Sequence, residues 1–312
     1  MTRQFSDSRT AQARPLERCR AVSRLPGQFA ALARQVAGQL TDVTDCSWER
    51  DSSAVWRLTG ASGGCWYLKR HSSGRFHARE VAALRDWAPA LGPGRVPELA
   101  AVDPEILVMV VTAVPGEPVL GLSLSAREEQ RVHRQAGRLL GRLHEIQRVP
   151  GAGEDASRVT GRVDGHLDQA GRLLTPAQRA LVRDCASRLA WLGPRVPAVA
   201  SHGDFQPRNW LWDSAGGRLG IIDWERAEPA AAVRDLVRLE YGPWDGRPGL
   251  REDFFAGYGR TLTPEEDQAL FCHAVLDALS GLLWGLANGD DAVVSRAWRT
   301  FERSSGIPLA RS

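Results

Sequence analysis

The spacing of apolar residues divides the chain into two unlike halves. Residues 29–40 repeat apolar positions at helical spacing and are followed by short apolar or β-branched runs at 46–49, 54–58 and 65–69. Asp51-Ser52-Ser53 and the glycine-rich stretch 60–64 part those runs, so the pattern predicts a meander of antiparallel strands. From Phe76 the period changes. Phe76, Glu80, Ala83, Leu84 and Trp87 share one helical face, which turns the Glu80 carboxylate inward with the apolar stripe. Residues 106–111 form an unbroken apolar run suited to a buried strand, and Val114-Pro115-Gly116-Glu117-Pro118 must turn after it.

Beyond that turn, helix signals dominate. Ser125 with Glu128, Thr175 with Gln178 and Thr263 with Glu266 have the form of capping boxes, each announcing a helix start. Val132, Ala136, Leu139, Leu140, Leu143 and Ile146 then recur at spacings of three and four, a stripe that faces a core. The organisation expected is an aperiodic, flexible extension over 1–24, a strand-rich N-lobe over 25–113 and a mainly helical C-lobe over 114–312. A loose loop is expected at 149–155.

Composition narrows the function. With 43% apolar and 25% charged residues, 312 residues suffice for two cored lobes. A net charge of +3 with arginines scattered among acids offers no basic stripe for nucleic acid or an anionic membrane, so a small-molecule partner is expected. No run approaches the eighteen apolar residues of a membrane span, and the expected location is cytoplasmic. The five cysteines form no CxxC pair and read as reduced thiols. Oligomeric state is not legible. Among 40 basic residues only Lys69 is lysine, which suggests a position that needs a compact ammonium rather than a guanidinium fork.

The strongest chemical signal is Ser201-His202-Gly203-Asp204-Phe205-Gln206-Pro207-Arg208-Asn209, followed by Ile221-Ile222-Asp223-Trp224-Glu225. Asp204 and Asn209 have the D-x-x-x-x-N spacing of a kinase catalytic loop. Residues 210–212 and 219–222 read as two strands joined through a turn at Gly216-Gly217, and a hairpin closed there returns Asp223 to the side of Asn209. An amide oxygen and a carboxylate then meet where one hard cation such as Mg²⁺ can contact both. Each of these residues taken singly is also a common turn former or cap; the joint pattern carries the chemical reading.

His202-Gly203-Asp204 with Asn209 and Ile222-Asp223-Trp224-Glu225 resembles the signature of the aminoglycoside phosphotransferase and choline kinase group, relatives of protein kinases. The likeness runs from about Ser47 to Asp235. It implies an α+β, two-lobed protein-kinase-like fold with a small antiparallel sheet in the N-lobe and a mainly α-helical C-lobe. It further implies that Lys69 grips the phosphates of ATP or GTP, Glu80 positions Lys69, and Ser52 and Ser53 cover the phosphates. The backbone of Thr112 and Val114 holds the adenine edge, Asp204 aligns or deprotonates the acceptor hydroxyl, and Asn209 and Asp223 bind Mg²⁺. Asp235 braces the catalytic loop, His202 orients it, and His144 packs a helix without a chemical partner. Two departures stand out: no G-x-G-x-x-G precedes Lys69, and Trp210 is bulky.

The function implied is a small-molecule O-kinase. An antibiotic of aminoglycoside, peptide or nucleoside type is the favoured acceptor, giving resistance or self-protection; a metabolic kinase for choline, homoserine or a sugar is the alternative, and a nucleotide-binding regulatory pseudokinase a third. For the acceptor, Glu240, Trp244, Asp245, Trp284, Asp290 and Asp291 offer acids and aromatics suited to a cationic or partly apolar molecule, although each is equally readable as surface acid or core tryptophan. A G-x-x-x-x-G-K-[ST] loop, a G-x-S-x-G elbow and a His/Cys cluster with metal spacing are all absent from the sequence.

Overall fold

The computed structural model describes residues 20–21, 25–47, 53–149 and 156–304. Of the expected N-terminal extension only β1 (Arg20–Ala21) is described, and it pairs with the strand that follows α1. Apart from Val149, the expected 149–155 loop lies outside the described residues.

In the N-lobe, α1 (Gly27–Ala37) leads into β2 (Leu40–Asp45), β3 (Ala54–Gly60) and β4 (Cys65–Arg70). After α2 (Gly74–Asp86) come β5 (Leu99–Asp103) and β6 (Val108–Thr112). Together they form an antiparallel sheet of order β1-β2-β3-β4-β6-β5. Two predicted strands shift. The one expected at 46–49 forms earlier as β2, because α1 stops at Gly38, whose φ of +67° suits glycine and lets the chain reverse at once. Trp48 and Glu49 lie outside the described residues. The run at 106–111 begins its strand only at Val108, since Leu107 occupies a turn with φ +55°. Strand β5 had no clear signal, being a half-buried edge strand of small residues.

Alternation across β6 explains its continuous apolarity. Val108 and Val110 pack against Phe29 and Ala33 of α1, whereas Met109 and Val111 join Ala83 and Leu84 of α2 in the core shared with the C-lobe. A strand covered on both faces has no polar side to show. The same alternation in β4 sends Leu68 to the α1 core and its neighbour Lys69 to the α2 face.

The C-lobe opens with β7 (Glu117–Pro118), α3 (Ala126–Ile146), β8 (Arg148–Val149), α4 (Ala156–Ala170) and α5 (Pro176–Leu192). Then come β9 (Ala198–Ser201), β10 (Trp210–Asp213), β11 (Arg218–Ile221) and β12 (Glu228–Ala231). Helices α6 (Val237–Glu240), α7 (Pro248–Tyr258), α8 (Pro264–Asn288) and α9 (Asp291–Ser304) complete it. All three capping boxes form with both reciprocal hydrogen bonds, at the starts of α3, α5 and α8. Helix α3 lies close enough to α7 that a Cβ on Gly137 would fall 2.0 Å from the Phe254 carbonyl oxygen, so glycine permits this approach. Helix α8 reaches a mean hydropathy of 1.6, long and apolar enough to cross a membrane, but it packs against α5, α6 and α9 and buries over half of that stretch inside the fold.

Two three-stranded sheets, β11-β10-β7 and β12-β9-β8, hold the segments that matter for chemistry. The loop 202–209 runs from the end of β9 to the start of β10, and the next chain reversal leaves β11 at Ile221.

Candidate active site

Lys69 is the centre of an acidic cluster built from three parts of the chain. Its ammonium lies 2.7 Å from Asp223, 2.8 Å from Glu80 and 3.0 Å from Glu225. Burial opposes the charged ammonium, yet the three carboxylates outweigh it and raise the Lys69 pKa well above its ordinary value. Burial likewise opposes the Glu80 carboxylate, and Lys69 and His71 reverse the effect, holding Glu80 below the usual glutamate range. Glu80 also accepts hydrogen bonds from His71 Nε2 (2.7 Å) and from the Trp224 backbone N–H (3.2 Å), which ties α2 to the segment after β11. Arg79, the residue before Glu80 on α2, pairs with Glu228. Ser53 donates to Glu225 at 3.1 Å, and Ser52 lies outside the described residues.

Asp204 is 2% exposed, and both of its oxygens are engaged. Oδ1 accepts from Gln206 (2.5 Å) and Arg238, and Oδ2 from Arg208 (2.7 Å) and Asn209 (3.0 Å). Burial pushes its pKa up, but Arg238 and Arg208 outweigh burial and hold Asp204 ionised far below the usual carboxylate range.

The loop that presents Asp204 is braced from beneath. Asp235, 1% exposed, accepts the backbone N–H groups of His202 (2.9 Å) and Gly203 (2.7 Å) and a third bond from His144 Nε2 (3.0 Å). Since a carboxylate only accepts, Nε2 of His144 carries the proton, and its Nδ1 takes the Tyr258 hydroxyl at 2.7 Å. His144, expected to lack a chemical partner, therefore has two: α3 and α7 bring the imidazole and the phenol together across the core, and sequence spacing does not show such a meeting. Gly203 has φ +76°, with the Arg226 carbonyl 2.2 Å from where a Cβ would stand, so the tight loop needs glycine there. His202 donates to the Ile222 carbonyl (3.1 Å) and accepts the Asp204 N–H (3.3 Å), linking the two acid-bearing loops.

Hairpin β10–β11 pairs Trp210 with Ile221, and Ile222 N–H bonds the Asn209 carbonyl at 3.0 Å, so Asn209 stands opposite Ile222 rather than Asp223. The one-residue offset leaves Asp223 just beyond the ladder, in the left-handed region at φ +68°. Asn209 donates its amide nitrogen to the Asp204 carbonyl (2.9 Å) and carboxylate, which leaves its amide oxygen for a cation. Asp223 commits Oδ1 to Lys69 and is 30% exposed, so a second carboxylate oxygen stays accessible. An amide oxygen and a carboxylate oxygen form a donor set that suits Mg²⁺.

The family profile of phosphotransferase enzymes (APH) matches residues 42–271, well over half of the chain. The protein belongs to the phosphotransferase enzyme family. No curated protein sequence matches it. Solved structures share its fold: APH(2")-IIia, with GDP and kanamycin, superposes at a TM-score of 0.66 and 16% identity, covering 89% of this chain and 98% of its own. Spectinomycin phosphotransferase APH(9)-Ia, with ADP and spectinomycin, gives 0.60 and 15%, covering 92% and 96%. The macrolide 2'-phosphotransferase MphH of Brachybacterium faecium gives 0.55 and 19%, covering 92% and 100%.

Of the two residues expected at the nucleobase edge of this phosphotransferase, Thr112 ends β6 and Val114 follows it in the segment before β7. The Thr112 N–H bonds the Glu98 carbonyl at 2.9 Å and is therefore taken, whereas Val114 has no backbone hydrogen bond among the described residues. The expected acceptor residues fare unevenly. Trp244 is 4% exposed and packs on Phe254 and Phe255, which makes it core rather than a stacking platform. Glu240 is paired with Arg251 and Asp245 with Arg303, so neither offers a free charge. Asp290 caps α9 by accepting Val293 N–H (3.2 Å), Asp291 lies in that helix's first turn, and Trp284 is 45% exposed. Trp210, flagged as bulky, is fully buried against Phe205 and His133 rather than lining a cleft.

Sequence reasoning passed over Glu225, Arg208, Arg238, Asp277 and Arg296. Glu225, two residues after Asp223, and Arg208, just before Asn209, lay inside the motifs and were legible. The other three come from α6, α8 and α9, where no local pattern marks them.

Proposed function

We propose that this phosphotransferase moves the terminal phosphoryl group of ATP or GTP to a hydroxyl of a small molecule, with residues 25–113 as the nucleotide lobe and 114–312 as the acceptor lobe. One observation carries the reading: Lys69 meets Asp223 at 2.7 Å while Asn209 meets Asp204 at 3.0 Å, so an ammonium, a cation-binding pair and a candidate catalytic acid from distant segments share one site. Lys69, positioned by Glu80, is the group for the nucleotide phosphates. Asn209 and Asp223 would hold Mg²⁺, which when bound neutralises charge on phosphate oxygens. Thr112 and Val114 face the base, and Ser53 stands near the phosphates through its bond to Glu225.

Asp204 is the catalytic residue. Two arginines keep it ionised and make it a weak base, so its role is to accept a hydrogen bond from the acceptor hydroxyl, in exchange for one of the four side-chain donors that now fill its oxygens, and to aim that hydroxyl at the phosphorus. The proton leaves late, as suits a loose phosphoryl transition state in which the nucleophile is only partly bonded. Positioning and charge neutralisation supply the acceleration, without a covalent enzyme intermediate.

A hydroxylated antibiotic is supported as acceptor by the kanamycin and spectinomycin held by the solved neighbours. A metabolite hydroxyl is the second reading, favoured by the arginines that crowd Asp204. The test is nucleotide consumption with Mg²⁺ over a panel of hydroxylated antibiotics and metabolites, with mass spectrometry for the added phosphoryl group. Transfer to any hydroxyl supports the proposal; failure to bind or consume nucleotide with every acceptor sinks it.

A further inference from the structure

Beside Asp204 a recess opens between α6, α8 and α9, lined by Arg238, Tyr241, Asp277, Gly281, Val293 and Arg296. It joins the catalytic loop directly, since Arg238 lines the recess and also bonds Asp204. The Arg296 guanidinium is half-buried and makes no hydrogen bond or ion pair among the described residues, and the Asp277 carboxylate makes none either. Arg296 nevertheless feels the charges of Arg238, Asp277, Arg208 and Asp204; burial first, then the two arginines, lower its pKa. Two guanidinium groups, Arg238 and Arg296, thus line the recess with one carboxylate, Asp277, and Arg238 links it to Asp204.

The Arg296 guanidinium, unpartnered among the described residues and beside the Asp204-bound Arg238, keeps its donors open to the recess, a set that an anion satisfies. We infer that the acceptor of this phosphotransferase is an oxyanion-bearing hydroxyl compound, its carboxylate or phosphate held by Arg238 and Arg296 and its hydroxyl delivered to Asp204. The inference rests on the phosphotransferase reading and deepens it. Planar guanidinium forks match carboxylate and phosphate oxygens two at a time, which favours them over lysines for this task. Asp277, in the same lining, sets where a second hydroxyl or an amine of the same molecule binds. A polycation such as an amino sugar meets the wrong sign of charge here, so Asp290, Asp291 and the other acids considered from sequence do not form its counterpart. The rival use of these arginines, to cover the transferring phosphoryl group, makes Arg296 matter for the nucleotide instead of the acceptor.

The experiment uses the full chain saturated with AMP-PNP and Mg²⁺, which fills the triphosphate site, and titrates sulfate by calorimetry. Saturable sulfate binding is expected, weakened by about tenfold or more in Arg296→Gln, equivalent to about 1.4 kcal/mol, and recovered in the charge-keeping Arg296→Lys. In parallel, kcat/KM is compared for gluconate, glucose and kanamycin, the expected order placing gluconate first. Sulfate binding that is absent, or indifferent to Arg296, overturns the inference, as does a preference for kanamycin, which would leave the phosphotransferase reading intact. Loss of AMP-PNP binding rather than sulfate binding in Arg296→Gln would assign the arginine to the nucleotide and also overturn it. A wild-type chain that binds no AMP-PNP fails the underlying reading itself.

Discussion

Replacing Lys69 with methionine keeps the length and apolar stem of the side chain and removes one charge. Three carboxylates, Glu80, Asp223 and Glu225, then lose the cation that each approaches within 3.0 Å. Breaking a buried ion pair by removing one partner costs about 3–5 kcal/mol. Ligand oxygens of Glu80 and Glu225 lie within 4.8 Å of each other. At that range two like charges repel by roughly 3–4 kcal/mol at an effective dielectric of about 20, enough to raise one carboxyl pKa by about two to three units. The sign of the pH dependence follows. In the wild type, Glu80 is depressed, so its contribution is complete above the unfolded value of about 4.3 and fades as pH falls through the lower folded value. In Lys69→Met one carboxyl is raised instead, so the variant loses stability as pH climbs from about 4.3 to about 7. The difference between the two proteins should therefore be about 3–5 kcal/mol near pH 8 and shrink to less than about half of that near pH 5. Urea unfolding followed by fluorescence of the 11 tryptophans, repeated across that range, measures it. A deficit that is the same at both ends would refute the charge-cluster account and leave packing as the cause.

Other substitutions probe the remaining parts of the site. Asp204→Asn should lower kcat by about 10²–10⁴ while nucleotide affinity, measured by direct titration, stays within about threefold; equal loss of both would remove Asp204 from its catalytic role. In Asp223→Asn the Mg²⁺ concentration for half-maximal turnover should rise about tenfold or more, a loss of about 1.4 kcal/mol, and an unchanged Mg²⁺ dependence counts against the metal assignment. Asp235→Asn sets an amide donor against a backbone N–H in a fully buried pocket and is expected to destabilise by about 2–4 kcal/mol in chemical denaturation, since it weakens three charge-assisted bonds and strands one donor. For Gly137→Ala, whose Cβ would collide with the Phe254 carbonyl, α3 and α7 must part, lowering stability by about 1–3 kcal/mol in the same assay with little change in KM.

What the sequence determined by itself is what lies close along the chain. The 202–209 loop, the hairpin that returns Asp223 near Asn209 and the three capping boxes are local: turn residues and spacing decide them, whatever the rest of the molecule does. Lys69 and Glu80 were nearly as legible, because a strand's alternation and a helix's stripe fix which face each side chain takes. Even there Asp223 falls one residue beyond the partner of Asn209 and β2 begins earlier than its apolar run suggested, since ladder hydrogen bonds and a glycine at Gly38 outrank side-chain pattern. Tertiary structure alone decided the rest. His144 found Asp235 and Tyr258, Trp244 went into the core, and Glu240 and Asp245 were taken by arginines. The recess of Arg238, Asp277 and Arg296 was invisible for the same reason: its charges sit on three helices brought together by apolar packing of α6, α8 and α9. Hydrophobic burial is non-directional, so the sequence pattern says that these helices will pack but not which polar residues their packing will bring face to face.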